Sequence, residues 1–241
     1  MSSLVSYSLN EGVATITLDD GKRNALSGDM IAEIHAAFDR AEADQATVIM
    51  TGREEVFSAG FDLHTLRGNP GPALKMLGSG FLLTARILRY PYPVIAVCNG
   101  HCYAMGVFLM LSADYIIGTR GDFRVCANEV AIGLTMPRVA VAMLRHRLTP
   151  AAFQTAVTLS QAFPVDQALA AGFFDELAEP STRHTRAMQM AQQTAELDRP
   201  AHRGSKLRIR RALIRRIRLS VPLDLLDAVL IGLRTALARK A

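Results

Sequence analysis

The spacing of apolar positions changes along this chain of 241 residues, and each change marks an element. Residues 4–9 and 13–18 read as two strands, and Asn10-Glu11-Gly12 between them has the composition of a hairpin turn. Met30, Ile31, Ile34 and Phe38 recur at helical spacing and predict a helix over about 28–43, with Ser27 as its N-cap. A short apolar strand over 48–51 follows. Gly68-Asn69-Pro70-Gly71-Pro72 reads as a loop, and a helix over about 73–89 ends ahead of Pro91 and Pro93. Residues 94–98 are apolar at every position, as a strand buried on both faces must be. Asn99-Gly100 interrupts that run, the apolar stretch 104–111 reads as a buried helix, and 115–118 and 123–125 are further strands. Beyond residue 138 strand signals fade. Helices are expected near 138–147, 149–159, 165–171, 182–197, 203–218 and 222–238. The pattern predicts an α/β core over 1–180 and a helical C-terminal region over 181–241.

Composition narrows the class. About half of the residues are apolar, enough for a sizeable core, and no run of 18 apolar residues suggests a membrane span. Met1-Ser2-Ser3-Leu4 lacks the basic region and apolar core of a signal peptide. Cys98, Cys102 and Cys126 read as reduced thiols of a cytoplasmic protein. Cys98 and Cys102 lie four apart, but no second ligand pair completes a metal site, so no metal is expected.

The net charge of +5 is uneven: eight of the sixteen residues 203–218 are Lys or Arg. The ordinary reading is a solvated helix face over a buried stripe of Ile209, Leu213 and Ile217. The alternative is a docking face for a ligand that carries phosphates. Nucleic acid is not expected as a partner, because no recognised motif accompanies the patch and the chain has no Trp.

Three segments carry candidate chemistry. In Phe57-Ser58-Ala59-Gly60-Phe61-Asp62-Leu63, Gly60 can adopt backbone angles that aim the Phe61 N–H at a substrate oxygen. Near Met105 a helix opens, and a helix start offers free N–H groups. In Cys126-Ala127-Asn128-Glu129-Val130-Ala131-Ile132-Gly133, apolar neighbours would raise the Glu129 carboxyl and make it a base. A surface glutamate at a helix start is the competing reading. Donors for an enolate oxygen plus a base for an α-proton are what chemistry beside a thioester carbonyl requires. His101 reads as a packed or hydrogen-bonded residue, as do His35, His64 and His146, and Asp114 as a turn anchor.

Together these segments resemble the crotonase superfamily of enoyl-CoA hydratases and isomerases. The resemblance runs from Lys22-Arg23-Asn24-Ala25-Leu26-Ser27 through 57–63, 99–114 and 128–137 to Val165-Asp166-Gln167-Ala168-Leu169-Ala170-Ala171-Gly172. It implies a spiral of ββα units with a helical trimerisation region, and a homotrimer or a dimer of trimers. It implies an oxyanion hole at the Phe61 and Met105 amides, and coenzyme A contacts at Lys22, Ala25, Ala59, Gly60, Asp62 and Leu63. Lys206 or Arg210 would contact CoA phosphates. No separate cofactor is implied, since coenzyme A is part of an acyl-CoA substrate. Hydratases that resemble this chain commonly use two glutamates. The first falls at Phe108 here, and the second is retained as Glu129. A 1,3-proton shift needs only one base, so the expected activity is Δ3,Δ2-enoyl-CoA isomerisation. A 2-enoyl-CoA hydratase and a non-catalytic acyl-CoA-binding homologue are the alternatives. Met105 also departs from the resemblance, since a glycine is usual there, and its bulk would narrow the site.

Overall fold

The computed structural model describes residues 3–238, with side chains through residue 232. Met1 and Ser2, which open the segment weighed as a leader, lie outside that range. Strands β1 (Val5–Asn10), β2 (Val13–Leu18), β4 (Thr47–Thr51), β7 (Val94–Cys98), β9 (Tyr115–Thr119) and β12 (Glu176–Ala178) form a sheet in that spatial order. The β1/β2 hairpin is antiparallel and the other pairings are parallel. A second sheet joins β5 (Glu55–Ser58), β8 (Gly100–Tyr103), β10 (Arg124–Cys126) and β11 (Phe163–Pro164). A third pairs β3 (Ala25–Leu26) with β6 (Gly60–Phe61) in parallel.

The chain therefore climbs in turns. Each turn gives one strand to the first sheet and one to the second, then a helix. One turn is β4, β5 and then α2 (Leu63–Arg67) and α3 (Pro70–Leu88); the next is β7, β8 and α4 (Met105–Met110). The third is β9 and β10, followed by a 3-10 turn (Val130–Ile132) and α5 (Arg138–Arg147). This is the expected ββα spiral. At the corner between β7 and β8 a Cβ on Gly100 would lie 1.8 Å from the Glu55 carbonyl carbon, so only glycine lets β8 pair with β5 there.

β7 shows why both faces of the first sheet read as apolar. Val94, Ala96 and Cys98 enter the main core, built with α1 (Gly28–Ala43), α3, α4, α5 and part of α9 (Arg199–Ala238). Ile95 and Val97 point the other way, onto Ala187 and Ala191 of α8 (Arg183–Ala195). Ser27 caps α1 as expected, its Oγ accepting from the Met30 N–H at 3.1 Å.

Several expectations change. α3 starts at Pro70, inside the segment read as a loop, because proline is suited to the first turn of a helix. The helices expected at 203–218 and 222–238 are one helix, α9, which runs through Pro222. Proline removes one hydrogen-bond donor, but packing holds the helix: Asp224 accepts from the Arg138 and Val139 N–H groups at 3.0 Å and so caps α5. The basic face is also different. Ile209 is 71% exposed and is not part of the buried stripe, whereas Leu213 and Ile217 are. Lys206 and Arg210 take the inward positions instead. Asp114 meets Lys206 at 2.6 Å and Arg210 at 2.8 Å; the Tyr92 carbonyl accepts from Lys206, and the Leu88 and Ala113 carbonyls accept from the two terminal Arg210 nitrogens. Burial pushes the Lys206 ammonium down to about 8. These two residues hold the fold and are not free for CoA phosphates.

Candidate active site

The turn at 57–63 is built on a polar framework from the loop before β3. Asp20 organises that loop: its carboxylate accepts from the Lys22, Asn24 and Ala25 N–H groups at 2.7–3.0 Å. Desolvation would raise that carboxyl, but these amides, helped by Arg53, hold it below its usual range. Asn24 is fully buried with φ 52°, and its amide group donates to the Leu18 and Phe57 carbonyls. The Ser58 hydroxyl donates to the Asn24 carbonyl at 2.7 Å and accepts from the Gly60 N–H at 3.1 Å. Ala25 then pairs with Gly60, and Leu26 with Phe61. Lys22, Ala25, Ala59 and Gly60 are thus gathered on one hydrogen-bonded corner.

Gly60 has φ +87°. A Cβ there would lie 2.8 Å from the Ala104 Cβ and 3.2 Å from the Met105 nitrogen. The Phe61 turn and the start of α4 are therefore in direct contact. Met105 is the first residue of α4, so its N–H has no acceptor within the helix. The preceding Ala104 holds φ 47°, ψ −125°, a conformation costly for any residue with a Cβ. It is fixed by its N–H to the Cys126 carbonyl at 2.9 Å, and its carbonyl accepts from Val107. Phe61 itself turns its ring edge-on to Phe81, with centroids 5.6 Å apart, and rests on Gly80 of α3.

The Ala104–Cys126 bond and the Tyr103–Cys126 register bring the third segment to the same place. Glu129, three residues beyond β10, starts the 3-10 turn and is 7% exposed. It is a buried glutamate, not the surface residue of the competing reading. Its Oε2 has no hydrogen-bond partner among the described residues. Burial pushes its carboxyl up to about 7. Among the described residues Asp224 is the other buried carboxylate, and Arg138 pairs with it. Phe108, on α4, is 1% exposed. His101 is packed between Tyr103 and Phe123, and its Nδ1 accepts from the Arg124 N–H.

A sequence profile described as enoyl-CoA hydratase/isomerase matches residues 8–216. The chain belongs to the enoyl-CoA hydratase/isomerase family. It is 31% identical over 214 residues to a probable enoyl-CoA hydratase of Mycobacterium tuberculosis, covering 86% of this chain and 81% of that one. It resembles a solved structure of a Mycobacterium tuberculosis enoyl-CoA isomerase with a TM-score of 0.89 and 41% identity, over 93% of this chain and 98% of that one. Human mitochondrial Δ3-Δ2-enoyl-CoA isomerase, at 22% identity and a TM-score of 0.85 over 99% of this chain and 100% of that one, shares the fold.

For this member of the enoyl-CoA hydratase/isomerase family, the residues singled out in the sequence fall unequally. Phe61, Met105 and the Glu129 segment converge around the β8–β10 junction. Asp62 lies beside them, but its carboxylate caps α2, accepting from the His64 and Thr65 N–H groups and the Thr65 hydroxyl. Leu63 is 47% exposed and Lys22 is exposed. A cavity of about 90 Å³ beside Tyr92, Thr194 and His202, and a groove of about 400 Å³ beside Arg120, Glu176 and Arg186, are not lined by Phe61, Met105 or Glu129. Asp20, Asn24 and Ser160 were missed in the sequence. Asp20 had a signal, an acid four residues before an Asn in a glycine-containing loop; Ser160 had none.

Proposed function

We propose that this protein acts on fatty acyl-CoA thioesters and isomerises a 3-enoyl-CoA to a 2-enoyl-CoA. In this reading the thioester oxygen lies against the Phe61 and Met105 N–H groups. The Glu129 carboxylate removes a proton from C2, and the electron pair moves into the carbonyl to give an enolate. The protonated Glu129 then returns the proton at C4 while the double bond forms between C2 and C3. The two amides hold the enolate oxygen, and loss of one such donor costs about 3 kcal/mol. A base whose pKa lies near neutrality suits both halves of the shuttle.

The observation that carries the reading is the solitary state of Glu129: buried, unpaired at Oε2 and raised to about 7, in a chain whose α4 carries Phe108 and no acid. The similar Mycobacterium tuberculosis protein is described as an enoyl-CoA isomerase in one solved structure and as a probable enoyl-CoA hydratase in another, so the choice rests on Glu129 and not on that likeness. Similarity to relatives named probable enoyl-CoA hydratase, and to the carnitinyl-CoA dehydratase of Salmonella enteritidis at 28% identity over 80% of this chain and 75% of that one, favours hydration as the second reading. The test is a paired assay of purified protein with a 3-enoyl-CoA and with crotonyl-CoA. Isomerisation abolished by Glu129→Gln supports the proposal. Crotonyl-CoA hydration that survives Glu129→Gln overturns it, as does tight acyl-CoA binding with no turnover of either substrate. Three free, buried cysteines agree with a reducing cytoplasmic setting. Leu219, Leu223 and Leu226 are exposed on α9 of the single protomer and suit the contacts of a homotrimer, which light scattering would measure.

A further inference from the structure

We propose that Ser160, far from the residues that meet substrate in sequence, is the positioning residue that clamps the Glu129 segment at both ends. The inference rests on the proposed role of Glu129 and deepens it. Ser160 closes α6 (Pro150–Leu159) with φ 48°, ψ 40°, a left-handed conformation that turns its carbonyl and hydroxyl toward the neighbouring segment. Its carbonyl accepts from the Cys126 thiol at 3.3 Å. Its hydroxyl accepts from the Ala131 N–H at 3.0 Å. One residue therefore holds position 126, the end of β10, and position 131, within the 3-10 turn. Glu129 lies between the two anchors.

The clamp has a clear purpose in physical terms. The turn that carries Glu129 is short, and its residues Val130, Ala131 and Ile132 are all exposed, so packing on the turn itself does little to hold it. Internal bonds close it, from the Ile132 and Leu134 N–H groups to the Glu129 carbonyl, but these move with the turn. The Ser160 contacts are what tie it to a longer helix. Without them the Glu129 carboxyl would lose its fixed aim and gain water. The neighbours leave few competing causes for a change in its titration. α4, α6 and the 3-10 turn contribute no titratable side chain, and β8 brings His101, Cys102 and Tyr103. The titratable group that feels Glu129 is the Cys126 thiol, raised to about 11 by burial and then by that carboxyl. His101 is engaged with Arg124.

The experiment compares Ser160→Ala, Ser160→Thr and Ser160→Gly with the parent enzyme. Alanine and glycine remove the hydroxyl; glycine also favours the left-handed backbone, and threonine keeps the acceptor but strains the φ 48° backbone, a cost that its melting curve separates from the hydroxyl's effect. Melting curves and circular dichroism confirm that each variant folds. The first readout needs no turnover. The Glu129 carboxyl is titrated by carbon-detected NMR and assigned by its loss in Glu129→Gln. In Ser160→Ala and Ser160→Gly the carboxyl pKa moves down toward the ordinary range and the Ala131 amide exchanges at least tenfold faster, while Ser160→Thr stays near the parent. The second readout is kinetic: kcat falls roughly ten- to a hundredfold with KM within about twofold in the two variants without the hydroxyl, and threonine restores it. A folded Ser160→Ala with parental titration and parental Ala131 exchange overturns the clamp, whatever the activity. Loss of the isomerase reading itself would show differently, as a parent enzyme that fails to turn over while its Glu129 titration still responds to Ser160.

Discussion

The sharpest prediction concerns Glu129 and pH. Its carboxyl rises from 4.5 to about 7 on folding because burial disfavours the charged form. Between these two values the folded state binds more protons than the unfolded state, so stability falls as pH rises. The proton-linked stability is fully present below 4.5 and is lost as pH passes through about 7. The linkage relation gives a cost of roughly 0.8 kcal/mol near pH 5 and about 3 kcal/mol near pH 8.5. Glu129→Gln removes the titration and keeps the shape. Its buried amide has its own penalty, but that penalty does not change with pH, so the comparison is the difference between the two conditions. The variant is expected to gain about 2–3 kcal/mol relative to the parent between those conditions. For a chain of this size that is on the order of 5–10 °C in melting temperature. Urea or thermal unfolding of both proteins at the two pH values measures it. Parallel stability curves, or a variant that loses ground as pH rises, would refute the claim that Glu129 is held in a dry site. The same variant is expected to be inactive, so the group that costs stability would be the one that does the chemistry.

Three further predictions test the surroundings of the site. Gly60→Ala places a methyl 2.8 Å from the Ala104 Cβ at φ +87°, so stability is expected to fall by about 1–2 kcal/mol and turnover of the proposed 3-enoyl-CoA substrate by roughly a hundredfold; a folded variant with turnover within twofold of the parent contradicts the proposed oxyanion hole. Asp114→Ala strands Lys206 and Arg210 without their carboxylate and is expected to cost about 3–5 kcal/mol in urea unfolding, whereas a loss under 1 kcal/mol would mean that the two cations are hydrated. Asp62→Ala is expected to cost about 1 kcal/mol as a lost helix cap, with Asp62→Asn restoring it; a rise in KM that Asn does not restore would instead indicate that the Asp62 charge meets coenzyme A.

How much of this was legible depended on whether a residue acts through its own type or through a distant partner. β4 and β7 could be read because a strand covered on both faces must be apolar throughout, and the two cores on either side of β7 are the reason. β5 and β8 could not. They contain Ser58, Gly100 and His101, read as turn and motif residues, and they are strands because of pairing within the second sheet, β5 with β8 and β8 with β10. Lys206 and Arg210 show the same limit more strongly. Charge placed them on a solvated face, and helical spacing placed Ile209 inward; Asp114, 92 residues from Lys206, reverses both, because a half-buried carboxylate and three carbonyls make burial of two cations tolerable.

The site divides in the same way. Gly60, the helix start at Met105 and Glu129 could be named from the sequence, since a positive φ, a free amide and a carboxyl are properties of one residue and its immediate neighbours. The residues that set their geometry could not. Ala104 takes its costly backbone angles because its amide reaches Cys126, and Ser160 reaches both Cys126 and Ala131. Cys126 is therefore common to both supports: its carbonyl holds the turn ahead of the Met105 amide and its thiol ties the Glu129 segment to α6. The proposed proton shuttle needs a base and an oxyanion donor at a fixed separation, and the segments proposed to carry them are both fastened to Cys126 at the end of β10. Under the proposed mechanism that shared anchor would let an oxyanion hole on α4 and a base at an exposed 3-10 turn act on one substrate.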